Sequence, residues 1–248
     1  MPTLDQVRRV ISAMPAGTAL ERRNRALIAF AMLTVARIGA LASFRLGHVD
    51  IVGGFVEQDA RAVRTKAAKT FRTYFVPVDE GALAIITAWV EELRRDHLWG
   101  PNDPLFPATA MGLAPDGGFV ALGLSRRGWA SGDRVREIFR NAFAVADLPY
   151  FNPHSFRAML VRHAMTMNLS AEQMKALSQN LGHSEVLTTF TSYGAVPVHR
   201  QGQLIRAISA ASTTGASANS EQVAALEGLL ASLKAGSVRG LRPASTDG

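Results

Sequence analysis

The chain contains no cysteine, and this absence removes several kinds of chemistry at once. Disulfide bonds, thiolate metal sites and a cysteine nucleophile are all excluded. The first residues also lack a basic stretch followed by an apolar stretch, which marks a secretory signal. Both absences fit a reducing compartment, so we expect a cytoplasmic protein.

Long hydrophobic runs are missing as well. The most apolar segment, residues 26–36, contains a threonine and is shorter than the roughly 20 residues that a membrane-spanning helix needs. With 248 residues and 48% hydrophobic content, the chain can still bury a substantial core, as one domain or as one domain with a small appendage. This segment is therefore predicted to be a buried helix.

Acidic residues are fewer than basic ones. The chain has 27 lysines and arginines against 20 aspartates and glutamates, a formal charge of +7, which suits a polyanionic partner without identifying one. The zinc motif His-Glu-x-x-His, the phosphate-binding loop Gly-x-x-x-x-Gly-Lys-Ser/Thr and the elbow Gly-x-Ser-x-Gly are all absent. Nor do His154, His163 and His183 have the spacing of a metal-ligand pair, so no metal is expected.

Helical patterns dominate the chain. Three sequences fit a capping box, in which a hydroxyl and a later side chain satisfy unpaired donors at a helix start: they begin at Thr3, Thr18 and Ser170. The second of these helices is apolar nearly all round, as a central core helix would be. Further helices are predicted over residues 38–44, 80–96, 132–146 and 154–165, and the helix that begins at Ser170 is expected to end near residue 180.

Strand patterns occupy the region between residues 49 and 78. Short strands are predicted at residues 49–52, 55–56, 62–65 and 72–78, and a three-stranded antiparallel sheet is their natural assembly. The segment from Gly100 to Gly123 is rich in glycine and proline and is predicted to be a loop with little regular structure. The expected fold class is mainly α with a small three-stranded antiparallel β-sheet (α+β).

Two arginines stand out as candidates for binding phosphate. Arg37 follows directly on the apolar helix, where a charged residue needs a reason to be present. A guanidinium offers a rigid fork to two oxygens of one phosphate and keeps its proton, so a pair of arginines can clamp a pentacoordinate phosphorane without a metal. We identify Arg37 and Arg157 as that pair, although each alone would also suit a surface or ion-paired position.

A tyrosine and two histidines stand at fixed distances near the second arginine. His154 and Arg157 are three residues apart, which on a helix places both side chains on one face. Tyr193 lies ten residues after His183, and the chain has only three tyrosines. A phenol can attack a phosphodiester only if other groups neutralise the non-bridging oxygens and protonate the leaving alkoxide. These residues together therefore indicate phosphoryl transfer.

The motifs resemble those of the tyrosine recombinase (phage integrase) family over roughly residues 3–200. The segment Thr34 to Leu41 is similar to the family's first box, an apolar helix that ends in Thr-Gly-x-Arg-Ile-x-Glu-Leu. Two departures are visible. Val35 replaces the usual glycine, and Ala40 replaces the acidic residue that supports the arginine and histidine network, a change that bears on efficiency more than on chemistry.

The resemblance implies a role for each site residue. Arg37 and Arg157 clamp the phosphate, Tyr193 is the nucleophile, and His183 bonds a non-bridging oxygen. His154 accepts or orients a proton. The general acid that protonates the departing 5′ oxygen is Lys66, with Lys69 as the competing assignment. Lys69 and Arg72 are expected to bind DNA.

The implied reaction is an exchange of esters. Tyr193 attacks the scissile phosphate and leaves a 3′-phosphotyrosyl link with a free 5′ hydroxyl, and a second 5′ hydroxyl reverses the step. The bond energy stays in the protein–DNA ester, so no ATP, metal or other cofactor is expected. Two further hypotheses remain open: a DNA-binding regulator that keeps the fold without turnover, and a type IB topoisomerase-like enzyme that relaxes DNA.

The expected domain organisation has one large part and a small appendage. Residues 1–207 are predicted to form the catalytic domain, without the N-terminal core-binding domain that family members usually carry. Residues 208–220 are predicted to be a linker and residues 235–248 a disordered tail. Between them, residues 221–234 place a leucine stripe on one helical face. The partners are therefore expected to be double-stranded DNA and, through this helix, further copies of the chain, although the stripe would equally suit packing on its own domain.

Overall fold

The computed structural model describes residues 1–65, 69–167, 169–182 and 201. In chain order the elements are α1 (Leu4–Ala13), α2 (Ala19–Thr34), α3 (Ile38–Leu41), a 3₁₀ turn (Leu46–His48), β1 (Val49–Asp50), β2 (Phe55–Gln58), β3 (Phe71–Tyr74), α4 (Glu80–Arg95), β4 (Thr109–Leu113), β5 (Phe119–Leu124), α5 (Asp133–Val145), α6 (Ser155–Thr166) and α7 (Ala171–Asn180). The chain divides into two compact units. Residues 1–166 and 180–183 make up the first, and α7 up to residue 179 is the described helix of the second.

The predicted fold class is confirmed, because helices predominate and the sheets are small and antiparallel. The helices predicted over residues 80–96, 132–146 and 154–165 match α4, α5 and α6 within one residue at each end. Among the described helices, none combines the length and the apolar character needed to cross a bilayer.

Reciprocal capping sets where three helices begin. At α1 the Gln6 amide donates to Thr3 Oγ1 over 3.1 Å, while the Thr3 amide donates to Gln6 Oε1 over 2.8 Å. Both bonds satisfy donors that the first turn of a helix leaves unpaired. The same reciprocal pair of bonds confirms the other two predicted boxes, Thr18 with Glu21 and Ser170 with Gln173.

Helix α2 is the centre of the core in the first unit. Its residues 26–34 are all buried, as the apolar sequence predicts. Phe30 packs edge-on against three rings: Phe44 at 5.5 Å, Phe106 at 5.5 Å and Phe75 at 5.9 Å between centroids. These rings come from the segments after α3, before β4 and after β3. Helix α2 therefore packs against three separate segments of this unit.

The three-stranded antiparallel sheet is confirmed, with the order β1-β2-β3 and Val56 opposite Thr73. The strand predicted at residues 62–65 is wrong. Ala62 and Val63 both donate their amides to the Asp59 carbonyl, over 3.0 and 2.7 Å, which closes a turn instead of extending a strand. Local bonds therefore replace the strand pairing that the residue types favour.

The loop predicted at residues 100–123 is wrong in its second half, where β4 and β5 form an antiparallel hairpin. Its glycines are the cause of the error. Gly117 takes a φ of +83° in the turn, and Gly112 lies in a strand under a neighbouring side chain, because a Cβ there would come within 2.6 Å of Leu122. Glycines that resemble loop signals thus serve a tight turn and a close side-chain contact.

The short helix α3 ends at Leu41, before the predicted end at Phe44. The Ser43 hydroxyl donates to the Gly39 carbonyl over 2.9 Å, and the chain then passes into the 3₁₀ turn. A side chain at Gly39 would come within 3.1 Å of the Arg64 carbonyl. The close backbone approach places α3 directly against the connection between β2 and β3.

A buried arginine joins the base of the hairpin to α2. Arg23 is 2% exposed and donates to the Pro107 carbonyl over 2.9 Å, to Thr109 Oγ1 over 3.2 Å and to Asn24 Oδ1 over 2.8 Å. Its guanidinium also lies 5.4 Å from the centre of the Trp129 ring. Burial lowers the pKa of Arg23 to about 10, so the group is still charged at neutral pH.

Asp79 combines two roles at the start of α4. Its Oδ1 accepts the Ala82 amide over 2.7 Å, and its Oδ2 accepts from Arg8 over 2.8 Å. Burial raises the pKa of this carboxyl, but the bonds from Arg8 and Ala82 outweigh that effect, and the pKa is lowered below its ordinary value.

Replacing Asp79 with alanine should lower the free energy of unfolding by about 1 kcal/mol through loss of the cap.

Asp79→Asn is the matched control, because it keeps the capping oxygen and loses only the charge. A folded-state pKa below the unfolded value stabilises the protein above about pH 4, and this contribution is lost as the pH falls through the folded-state pKa. Urea unfolding should therefore separate wild type from Asp79→Asn at pH 7 and bring them together in acid. A gap of constant size across this range would contradict the assigned ion pair.

Candidate active site

The end of α2 turns the chain towards the candidate site. Val35 is the C-terminal cap of α2 and has a left-handed backbone, with φ of 43° and ψ of 34°. Glycine occupies this conformation without strain, whereas a β-branched residue is strained there. Helix α2 ends at Thr34, two residues before the end of the predicted helix at residue 36, and Arg37 is the N-cap of α3.

Helix α6 supplies the second arginine and a histidine. It begins at Ser155, whose amide donates to Asn152 Oδ1 over 3.1 Å, so His154 lies just before the first turn. His154 is exposed, whereas Arg157 is only 4% exposed. The Arg157 amide donates to the His154 carbonyl over 3.1 Å, which fixes the two residues one turn apart.

The Arg157 guanidinium connects three segments of the first unit. One Nη donates to the Val35 carbonyl over 2.9 Å, and the other donates to the Leu181 carbonyl. Val35 ends α2, Arg157 belongs to α6, and Leu181 follows α7 in sequence. Arg157 therefore has a structural role in addition to any role towards a ligand.

Three of the six predicted catalytic residues border one cavity. Arg37, His154 and Arg157 line it together with Ala36, Ile38 and Gly39, and its volume is about 250 Å³. Pockets for drug-sized ligands have volumes of about 300 to 1,000 Å³, so this cavity suits a smaller group. Two guanidiniums at its wall favour an anion.

The other three predicted catalytic residues, Lys66, His183 and Tyr193, lie outside the described residues. Lys69 is described and exposed. Arg72 lies on β3, where its Nε donates to Glu57 Oε1 over 2.8 Å and its guanidinium stacks 3.8 Å from the centre of the Phe55 ring. In the part of the chain that the structure describes, no three histidine, aspartate or glutamate residues gather as metal ligands.

Ala40, at the position where the family has an acidic residue, is fully buried within α3. The chain therefore has a methyl group at the position where the motif that it resembles would place a carboxylate. The Val35 and Leu181 carbonyl oxygens accept from the Arg157 guanidinium and help to orient it.

Asn180, which no sequence motif singles out, holds the segment that leads to His183. Its side chain accepts the Tyr74 amide over 2.6 Å and donates to the Tyr74 carbonyl over 2.9 Å. Two residues later, Gly182 has a φ of +69°, and a Cβ there would come within 2.9 Å of Phe71. An asparagine followed closely by glycine after a helix is a local signal for such a turn, but its partners on β3 are not encoded nearby.

Solved structures of recombinases share this fold. XerA recombinase superposes with a TM-score of 0.56 at 17% identity, over 82% of this chain and 61% of that one. A lambda integrase (75-356) dimer bound to a COC′ core site gives 0.51 at 14% identity, over 79% and 62% of the two chains. The Tn1549 transposon integrase (aa 82-397) in complex with circular intermediate DNA gives 0.51 at 14% identity, over 84% and 66%. At these identities the likeness concerns the fold alone, which is that of tyrosine recombinase catalytic domains.

The sequence shows the family directly. A family-wide sequence model, described as the Phage integrase family, matches residues 3–199, and the chain belongs to this family. Tyrosine recombinase XerC of Pseudomonas fluorescens is 23% identical over 171 residues, which are 68% of this chain and 47% of that protein. The chain thus spans about half the length of this curated relative.

The different burial of the two arginines predicts different costs of removing them. Arg157→Ala leaves the Val35 and Leu181 carbonyls without these donors, and an unsatisfied buried polar group costs about 1 to 3 kcal/mol. Arg37 is only half-buried, so Arg37→Ala should change the free energy of unfolding by less than about 1 kcal/mol. Urea unfolding of both variants checks this, and an equal loss of stability would contradict the structural role of Arg157.

Proposed function

We propose that this chain is the catalytic domain of a site-specific DNA recombinase or integrase, which cleaves and rejoins strands through a 3′-phosphotyrosyl intermediate. The observation that carries the proposal is the cavity that gathers Arg37, His154 and Arg157 from two separate sequence motifs. Membership of the Phage integrase family over residues 3–199 supports it.

Double-stranded DNA is the proposed substrate. The formal charge of +7 favours a polyanion, and phosphate contacts supply most of the affinity of proteins for DNA. XerH recombinase has been solved bound to its difH substrate, and lambda integrase bound to a core site. Both share this fold, which supports DNA as the partner of this chain. We propose that the reaction takes place in the cytoplasm.

The first proposed step is phosphate binding and attack. The scissile phosphate enters the cavity, where Arg37 and Arg157 neutralise its non-bridging oxygens as negative charge builds up on them. His183 donates a further hydrogen bond. The Tyr193 phenol oxygen bonds to phosphorus, and its proton passes to His154 at the exposed rim of the cavity.

The second step completes the exchange. The bond between phosphorus and the 5′ oxygen breaks, and Lys66 gives a proton to the departing oxygen. One phosphoester bond replaces another, so the reaction needs no external energy source. Attack by a 5′ hydroxyl from another strand reverses the step and transfers the DNA end.

Assembly on DNA is also part of the proposal. Joining two DNA sites requires more than one copy of the catalytic residues, and residues 221–234 carry leucines at helical spacing after the linker at 208–220. We propose that this segment docks on a second copy of the chain, while residues 1–207 form the catalytic domain.

A DNA-binding regulator of the same fold is the second candidate. The buried Ala40 favours it, because no carboxylate supports the catalytic network from that position. Detection of a covalent intermediate separates the two candidates, since a regulator would bind DNA without forming one.

Tyr193→Phe tests the proposed nucleophile. A nicked suicide substrate, which loses the short strand after cleavage, should trap wild-type protein as a covalent DNA adduct that survives denaturing electrophoresis. The Phe variant lacks the attacking oxygen and should form no adduct. Chelator should leave the wild-type yield unchanged.

Tyr150→Phe is the matched control, because it removes the same oxygen from an exposed tyrosine on a loop of the first unit. It should form the adduct at the wild-type level. An adduct on Tyr193→Phe, or loss of the wild-type adduct with chelator, would show that the nucleophile or the metal-free chemistry has been misassigned.

The general acid can be identified by changing the leaving group. A substrate with sulfur in place of the bridging 5′ oxygen needs no proton to depart, because a thiolate is a far better leaving group than an alkoxide. Lys66→Ala should therefore cleave the ordinary substrate about 10² to 10⁴ times more slowly and recover on the sulfur substrate. Lys69→Ala should show no such selective recovery, and the opposite result would exchange the two assignments.

A further inference from the structure

A second cavity, of about 380 Å³, lies at the other end of α3 from Arg37. Three arginines line it: Arg45, Arg64 and Arg126. Asn102 adds a neutral polar side chain, and Trp129 is among the residues of its wall. We call it the three-arginine cavity.

Arg64 is held rigidly in this wall. Its guanidinium donates to the carbonyls of Trp129 over 2.8 Å, Ala42 over 3.2 Å and Ala130, and its own amide donates to Ser43 Oγ over 2.9 Å. All four acceptors are neutral. The hydrogen bonds therefore fix the position of the guanidinium without compensating its charge.

Neutral groups also bond to the side chain of Arg126 and to the backbone of Arg45. Arg126 donates to the Leu98 carbonyl over 3.1 Å and lies 5.9 Å from the centre of the Trp99 ring. The Arg45 amide donates to His48 Nδ1 over 3.0 Å, and its backbone forms a bridge to Pro104. Both side chains are exposed and face the cavity from different segments.

Uncompensated charge distinguishes these arginines from others close by in sequence. Arg61 pairs with Asp59 over 2.7 Å, and Arg72 pairs with Glu57. Across the described ranges, by contrast, none of the three cavity arginines forms an ion pair.

Three like charges around one cavity repel each other, and an anion relieves that repulsion. Guanidiniums bind phosphate through paired N–H donors and are weakly hydrated, so phosphate is the anion they suit best. The volume of the cavity falls within the range of ligand-binding pockets.

We propose that the three-arginine cavity binds a backbone phosphate of the same DNA duplex whose scissile phosphate enters the Arg37–Arg157 cavity. This inference rests on the proposed function. Arg37 precedes α3 and Ala42 follows it, and a helix of four residues is about 6 Å long. A DNA strand carries one phosphate per about 3.4 Å of axis, so a duplex over the first cavity presents another phosphate near the second.

The test measures DNA binding by the full chain with Arg45→Ala, Arg126→Ala and the double variant. Arg64 is left unchanged because its bonds hold the fold together. Fluorescence anisotropy with a short labelled duplex of mixed sequence gives the dissociation constant at several salt concentrations. Each single variant should weaken binding several-fold and reduce the slope of log affinity against log salt by about 1, and the double variant by about 2.

The matched controls are Arg9→Ala and Arg94→Ala, which remove exposed charges from α1 and α4. They should leave the slope unchanged, and thermal melting should show that all variants fold. Slopes of the cavity variants that equal those of the controls would overturn the assignment to DNA.

Calorimetry with inorganic pyrophosphate, without DNA, tests whether the cavity instead binds a free phosphorylated ligand. Pyrophosphate binding that the double variant loses, with DNA affinity unchanged, would assign the cavity to a free phosphorylated ligand and overturn the DNA assignment. If the double variant matched wild type in both DNA affinity and pyrophosphate binding, phosphate binding by this cavity would be overturned. The salt slopes of the variants could be reduced although the wild-type protein forms no tyrosyl adduct. That result would support phosphate binding by the cavity and contradict the proposed recombinase function.

Discussion

The candidate site depends on one buried charge, the guanidinium of Arg157. Burying a charge is costly unless polar groups receive it, and here the carbonyls of Val35 and Leu181 do so. Each carbonyl belongs to a different segment, so the same bonds that solvate the arginine also set the end of α2 against α6 and the turn at Leu181. The same two bonds therefore stabilise the fold and fix the guanidinium at the wall of the cavity.

The helix α3 links the two arginine-lined cavities. It is short because Ser43 bonds back to Gly39 and the chain then turns into the 3₁₀ segment. Gly39 lets the Arg64 carbonyl approach, and Gly132 lets Ile38 approach, since a Cβ at Gly132 would come within 2.1 Å of the Ile38 side chain. Close packing on two sides leaves α3 little freedom. The spacing between the cavities is therefore set by rigid structure.

Local patterns allowed the helices to be predicted, because capping pairs such as Thr18 with Glu21 and continuous apolar stretches act within one turn or one element. The convergence of Arg37 with Arg157 followed from family motifs, since spacing along the chain says nothing about residues so far apart. The hairpin at 109–124 was missed because its strands are largely exposed and interrupted by glycine. The roles of Arg23 and Asn180 cannot be predicted from local patterns, because each bonds a backbone group that is distant in sequence.

The two bonds between Asn180 and Tyr74 act on the edge of the described three-stranded sheet. Among the described strands β3 lies at one edge of its sheet, and an edge strand offers backbone groups for pairing with another strand. The Asn180 amide group occupies both the N–H and the carbonyl of Tyr74, as a neighbouring peptide unit would. The same side chain that holds the segment before His183 thereby occupies two of the backbone groups that strand addition at this edge would need.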